Sequence, residues 1–292
     1  MSFFGGRSPA GPQRLHEAGC LFCWKVCNVN SSRRHAMLLF LILAAGIGSG
    51  SRAADGKPAK PLRVAAAADL QFALEEIVDA YKTKTSELEV RISYGSSGNF
   101  FAQISNGAPF DLYLSADVSY PRKLVEAGLA LKGSEFSYAI GRLVVWVPKA
   151  SKLDVSQLGM KTLLASSVRR IAIANPEHAP YGKAAVAAMR SLGVYEAAQK
   201  KLVYGENVAQ AAQFVQSGNA DVGILPLSLA LAPTLQREGR YWRVPEDAYP
   251  RMDQGGVIIA SSSNAEAAKA FAAYIIGAEG RAILERYGFR LP

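Results

Sequence analysis

From Leu62 to the C-terminus, short apolar runs alternate with longer segments whose apolar positions recur at helical spacing. "LRVAAAA" is followed by "DLQFALEEIVDAYKTK", in which Leu70, Ala73, Leu74, Ile77, Val78 and Tyr81 share one helical face. "LEVRISY", "FDLYLSA", "GRLVVWVP", "RIAIAN", "KLVYG", "DVGILPL", "YWRVP" and "GGVIIAS" read as further strands. "FFAQISNG", "YPRKLVEAG", "SQLGMKTLLAS", "YGKAAVAAMRSLG", "VAQAAQFVQSG" and "AEAAKAFAAYIIGAEGRAILERYG" read as the helices between or after them. This alternation confines the chain to the α/β class and predicts open, largely parallel sheets covered by helices on both faces. Ligands of such sheets sit beyond the carboxyl ends of the strands, so the strand exits are the segments to read for function.

The chain of 292 residues is half apolar, enough for one large or two medium units with a sizeable core. Its formal charge of +9 suggests a nucleic-acid partner until the charges are located. Residues 1–53 hold six basic residues and one acidic residue, which leaves 27 basic against 23 acidic residues beyond them. Those that remain are interspersed, with no basic stripe, and nucleic-acid binding is excluded on that ground. The same first 53 residues carry Arg33 and Arg34, then "AMLLFLILAAGIGSG", then small residues, the pattern of a secretory signal or leader. Residues 54–61 read as a linker. Cys20, Cys23 and Cys27 all lie in the leader and lack a fourth ligand, so the exported chain is expected to have no disulfide and no thiolate metal site. It keeps one histidine, His178, so any serine triad would have to use it.

Four strand exits run straight into helix starts: "AAAADL" with Asp69 as an expected N-cap, "GSSGNF" with Ser96 and Ser97, "NPEHAPYGKAA" with Pro180, and "GENVAQAAQ" with Asn207. A helix start presents backbone N–H groups that have no partner within the helix, together with the positive end of its dipole. Several such starts converging on one cavity would bind an anion without lysine or arginine, and serine hydroxyls would add donors. The "GSSGNF" turn by itself admits three readings: a plain turn, an anion cradle, or the elbow of a nucleophile. The elbow lacks the full G-x-S-x-G spacing, and its base would be His178 with Asp111 or Asp117 as the acid.

The strings "VAAAADL" (64–70), "GSSGNFFAQISNGAPFDLYLSAD" (95–117), "IANPEHAPYG" (173–182), "GENVAQA" (205–211) and "YGF" (287–289) resemble, in order, the periplasmic molybdate-binding proteins of molybdate ABC transporters. The resemblance runs from about residue 62 to residue 291. It implies a class II periplasmic binding fold, two α/β lobes joined by a two-strand hinge and closing on a tetrahedral oxyanion. The expected division is 62–139 with 246–292 for the first lobe and 140–245 for the second.

By that resemblance Ser97 offers its hydroxyl and N–H, and Tyr181 and Val208 offer backbone N–H groups, with Asp69 and Ser96 in support. Molybdate, and with it tungstate, would be held as an oxyanion through Ser97, Tyr181 and Val208, with no protein atom bonded to the metal and no cofactor. The family's first serine falls on Asp69 and its tyrosine ligand on Pro226, two departures from the pattern. A carboxylate at about 4 Å from an anion would be repelled by about 4 kcal/mol per unit charge at an effective dielectric near 20. Asp69 is therefore expected to turn its side chain onto the helix N–H groups as a cap, or else to be protonated. The expectation is a periplasmic, monomeric, non-enzymatic receptor that delivers its anion to an ABC permease in the inner membrane. A receptor for sulfate or phosphate, and a serine hydrolase, are the alternatives.

Overall fold

A computed structural model describes residues 60–85 and 88–292. The leader, its cysteines and most of the linker lie outside the described residues. Among the described residues, ten strands form two five-stranded sheets. The first contains β1 (Leu62–Ala67), β2 (Val90–Gly95), β3 (Leu112–Ser115), β4 (Phe136–Gly141) and β10 (Met252–Ile258), in the order β2-β1-β3-β10-β4. The second contains β5 (Leu143–Pro148), β6 (Ile171–Ala174), β7 (Leu202–Gly205), β8 (Val222–Pro226) and β9 (Gly239–Arg243), in the order β7-β6-β8-β5-β9. The helices are α1 (Gln71–Lys82), α2 (Ser97–Ser105), α3 (Ser119–Glu126), α4 (Val155–Leu158), α5 (Pro180–Ser191), α6 (Tyr195–Ala198), α7 (Val208–Gln216), α8 (Leu227–Ala230), α9 (Pro233–Glu238), α10 (Ala265–Ile275) and α11 (Ala278–Arg286). Among the described residues no helix is long and apolar enough to cross a membrane.

The two sheets repeat one plan: three parallel strands, then an antiparallel strand, then another antiparallel to that. The sheets are thus mixed, where the strand pattern alone predicts largely parallel ones. The antiparallel members come from the two passages of the chain between sheets. It leaves β4 at Gly141, enters β5 at Leu143 with Arg142 alone between them, and returns from β9 at Arg243 to β10 at Met252. β4 itself is absent from the sequence reading, because "FSYAIG" merges with the apolar run that follows it.

Burial follows the strand period. Val64 and Ala66 point into a core with Leu74 and Ile77 of α1, Phe271 of α10 and Leu284 of α11. Ala65, between them, points into the opposite core with Phe100 of α2, Tyr113 and Leu124. Both faces of the sheet are covered, which is why β1 is apolar from Val64 to Ala67 instead of alternating. The second sheet is enclosed likewise, with Val144, Trp146, Ile173 and Leu225 at its centre. Two α/β lobes joined by two crossing segments make this a class II binding-protein fold.

Candidate functional site

The parallel strands aim their carboxyl ends toward the seam between the lobes, and four helix starts meet there. Asp69, Ser96, Ser97, Tyr181 and Val208 all line one small, nearly filled cleft, with a cavity volume of about 10 Å³, room for about one water. It is too small for a peptide or a sugar chain. No lysine or arginine lines it. Among the described residues no three His, Cys, Asp or Glu side chains gather into a metal cluster. A larger neighbouring cavity, about 250 Å³, shares Ala116 and Pro180 with the cleft. Its lining mixes Asp117, Lys183, Arg251 and Asp253, and its Arg251–Asp253 pair at 2.7 Å neutralises itself.

Each donor is fixed by its local structure. Ser96 has extended backbone and caps α2, its Oγ accepting from Asn99 N at 3.4 Å. Ser97 is then the first helical residue, where its N–H has no intrahelical acceptor. Its carbonyl accepts from the Tyr113 hydroxyl at 2.7 Å, and its Oγ accepts from Ala116 N at 3.0 Å. With Oγ acting as an acceptor there, the Ser97 hydroxyl proton is left free to point into the cleft. Pro180 opens α5 and has no N–H, so Tyr181 supplies the first one. The α5 start is pressed against β6: a Cβ on Gly182 would lie 2.2 Å from the Ala174 carbonyl oxygen, so only glycine permits this approach. Asn207 caps α7, accepting from Ala209 N at 2.9 Å and Gln210 N at 3.1 Å, and leaves Val208 N–H at the helix tip. α2, α5 and α7 thus aim three positive dipole ends at one space.

Asp69 departs from the expectation. It does not cap a helix, because it is the second residue of the 3-10 turn Ala68–Leu70; the capping position is Ala67, which has no side-chain oxygen. Its carboxylate is fully buried and turns toward β10 of its own sheet instead, with Oδ2 accepting from Gln254 Nε2 at 2.7 Å. The same Nε2 donates to the Tyr181 hydroxyl oxygen at 3.1 Å. Asp69 Oδ1 and Gln254 Oε1, both buried, have no hydrogen-bond partner. Burial pushes the Asp69 carboxyl up to about 6, an increase that Gln254 and Tyr181 partly offset. Burial and the nearby Asp69 charge hold the Tyr181 hydroxyl well above its usual range, so it keeps its proton.

Direct bonds also tie the lobes across the cleft. Gly98 N donates to the His178 carbonyl at 2.9 Å, Ser96 Oγ and His178 Nδ1 share a hydrogen bond at 2.9 Å, and Ser228 Oγ donates to the Asp69 carbonyl at 2.7 Å. His178 Nε2 lies 3.7 Å from Glu206 Oε2. The triad considered from sequence is not assembled. Asp111 accepts from Arg63 N and Ser262 Oγ, at 2.8 Å each, and Asp117 Oδ1 accepts from Ser119 N at 2.8 Å. His178 pairs with the capping serine, Ser96, and Ser97 is engaged by Ala116. Gln254 and Ser228 are absent from the sequence reading. For Gln254 a signal exists: it is a lone uncharged polar side chain at the head of the buried run "QGGVII".

Two α/β lobes meeting at a small pocket of uncharged donors define a solute-binding protein, a molecule that encloses a small guest by hinge closure. The chain belongs to the family described as bacterial extracellular solute-binding protein, which matches residues 62–290. It is 38% identical to the molybdate-binding protein ModA of Rhodobacter capsulatus over 225 residues, 77% of this chain and 86% of that one. It is 36% identical to ModA of Azotobacter vinelandii over 249 residues, 85% of this chain and 97% of the relative. The solved Azotobacter vinelandii periplasmic molybdate-binding protein superposes with a TM-score of 0.73 at 36% identity, covering 79% of this chain and 99% of that one.

Proposed function

We propose that this protein is a periplasmic receptor that captures molybdate, and tungstate with it, between its two lobes and hands it to an ABC permease in the inner membrane. The first lobe is residues 62–141 with 246–292 and the second residues 142–245, two residues later than the sequence division because β4 runs on to Gly141. The protein acts as an exported monomer that binds its guest without chemical change. Ser97 contributes its N–H and hydroxyl, Tyr181 and Val208 their N–H groups, and Ser96 and Asp69 complete the wall.

The observation that carries this reading is the convergence of three helix starts, two from one lobe and one from the other, on a pocket with no basic side chain. Each of α2, α5 and α7 begins at that pocket. Fixed amide dipoles stabilise a dianion with little reorganisation. They also select by size, since donors held at one spacing cannot all reach a smaller tetrahedron. The guest touches both lobes, so its differential affinity for the closed form drives closure.

Thermal melting against molybdate, tungstate, sulfate and phosphate tests the proposal. A ligand at a hundred times its Kd adds about 2.7 kcal/mol to stability, which for a body of this size raises Tm by roughly 5–10 °C. Molybdate and tungstate are expected to give that rise, and sulfate and phosphate much less. No rise with molybdate overturns the reading, and a rise only with sulfate or phosphate reassigns the guest.

A further inference from the structure

We propose that Asp69 is the specificity-determining residue of the cleft and makes capture proton-linked: the carboxyl takes up one proton from solvent for each dianion bound. The inference rests on the reading of the cleft as an oxyanion site and adds to it the protonation state in which the site works. Asp69 lines the space, and its carboxylate is fully buried. One oxygen is held by the Gln254 amide, and the other, Oδ1, has no donor aimed at it. Gln254 Oε1 is likewise left without a donor. A proton on Oδ1 would supply the donor that this polar wall lacks, and would remove the one negative charge facing the guest.

Among the described residues that line the cleft, no lysine or arginine stands opposite that charge. The groups packed around Asp69 are Tyr138 of β4, Tyr181 of α5, Ser228 of α8, Gln254 of β10 and the first turn of α7 at Val208, and none is a cation. The remaining route is a proton. The balance is one ionised carboxylate, one proton from the buffer and one dianion giving one neutral carboxyl beside the bound dianion, with no bond to the central atom made or broken. A guest that brings its own proton, such as hydrogen phosphate, would satisfy the same wall with no uptake. Asp69 would therefore set both the pH range of binding and the proton state of acceptable anions.

The sign follows from linkage: the complex holds more protons than the free protein, so affinity rises as pH falls and levels off once the free carboxyl is already protonated. With the free group at about 6, the dependence is felt above that pH. Calorimetric titration of the full chain with sodium molybdate at pH 7.5, in HEPES and in Tris, gives the proton count from the difference in heat. Wild type is expected to take up close to one proton and to lose affinity by up to tenfold per pH unit between pH 6.5 and 8. Asp69→Asn is expected to bind with no proton uptake and a flat pH profile. Binding by wild type with no uptake and a flat profile overturns the proposal, as does uptake that persists in Asp69→Asn. Absence of any molybdate heat in wild type instead overturns the oxyanion reading beneath it. Should the variant fail to fold, the wild-type proton count decides alone.

Discussion

Replacing Gly98 by alanine separates lobe closure from lobe folding. Gly98 lies in the first turn of α2, outside the left-handed region, so alanine fits its backbone and favours the helix by about 0.5–1 kcal/mol. Across the cleft the same change is hostile. A Cβ there would sit 2.7 Å from the His178 carbonyl oxygen and 3.0 Å from both its Cα and Cβ. These neighbours are backbone or fixed to it, so no rotamer change relieves the contact. Opening the gap removes the Gly98 N–H to His178 bond, about 0.5–1.5 kcal/mol, and accommodating the methyl costs about 1–3 kcal/mol more. A closed state raised by about 2–4 kcal/mol weakens molybdate binding roughly 30- to 700-fold. Calorimetric titration measures the affinity, and a melt without anion checks that the fold is unharmed. Affinity within threefold of the parent, with an unchanged melt, would show that closure does not depend on this contact.

The Asp69 carboxyl also governs stability without anion. Its folded value is raised, so its contribution is complete below the ordinary value of 3.8 and is lost as pH rises through about 6, in all about 3 kcal/mol. Urea unfolding of anion-free protein at pH 4.5 and 7.5 is expected to find Asp69→Asn relatively more stable at the higher pH, and an equal difference at both would refute the assignment. Ser97→Ala removes a cleft donor and leaves the buried Ala116 N–H without its 3.0 Å acceptor, at a cost of about 1–3 kcal/mol in stability. Molybdate affinity should fall at least tenfold in the same variant, and titration at wild-type affinity would remove Ser97 from the anion's shell.

Local signals wrote most of this molecule openly. The spacing of Ala73, Leu74, Ile77, Val78 and Tyr81 fixes the buried face of α1, and all five are buried. Asn207 caps α7 and Pro180 opens α5 because both rules act within one helical turn. What was hidden depends on residues far apart in the chain. The antiparallel strands arise from passages at residues 141–143 and 243–252, and no strand-length window contains their pairing. Asp69 offers the sharper case. Its neighbours in sequence suggest a cap, but its position inside a 3-10 turn denies it that role. Its real donor, Gln254, is 185 residues away. A local rule can say that a buried carboxylate needs a partner; only the fold decides which one.

Gln254 also explains why the lobes can meet beside a carboxylate at all. An amide nitrogen carries two hydrogens, and here one goes to Asp69 from the first lobe and the other to the Tyr181 hydroxyl from the second. Gln254 lies on β10, just beyond one of the two chain passages, so the bridge forms beside a segment that joins the lobes. Glutamate at this position would set a second buried negative charge against Asp69, and leucine would strip the carboxylate of the amide donor 2.7 Å from its Oδ2. An uncharged side chain with two donors meets both demands, and that places a glutamine at the head of the buried part of β10.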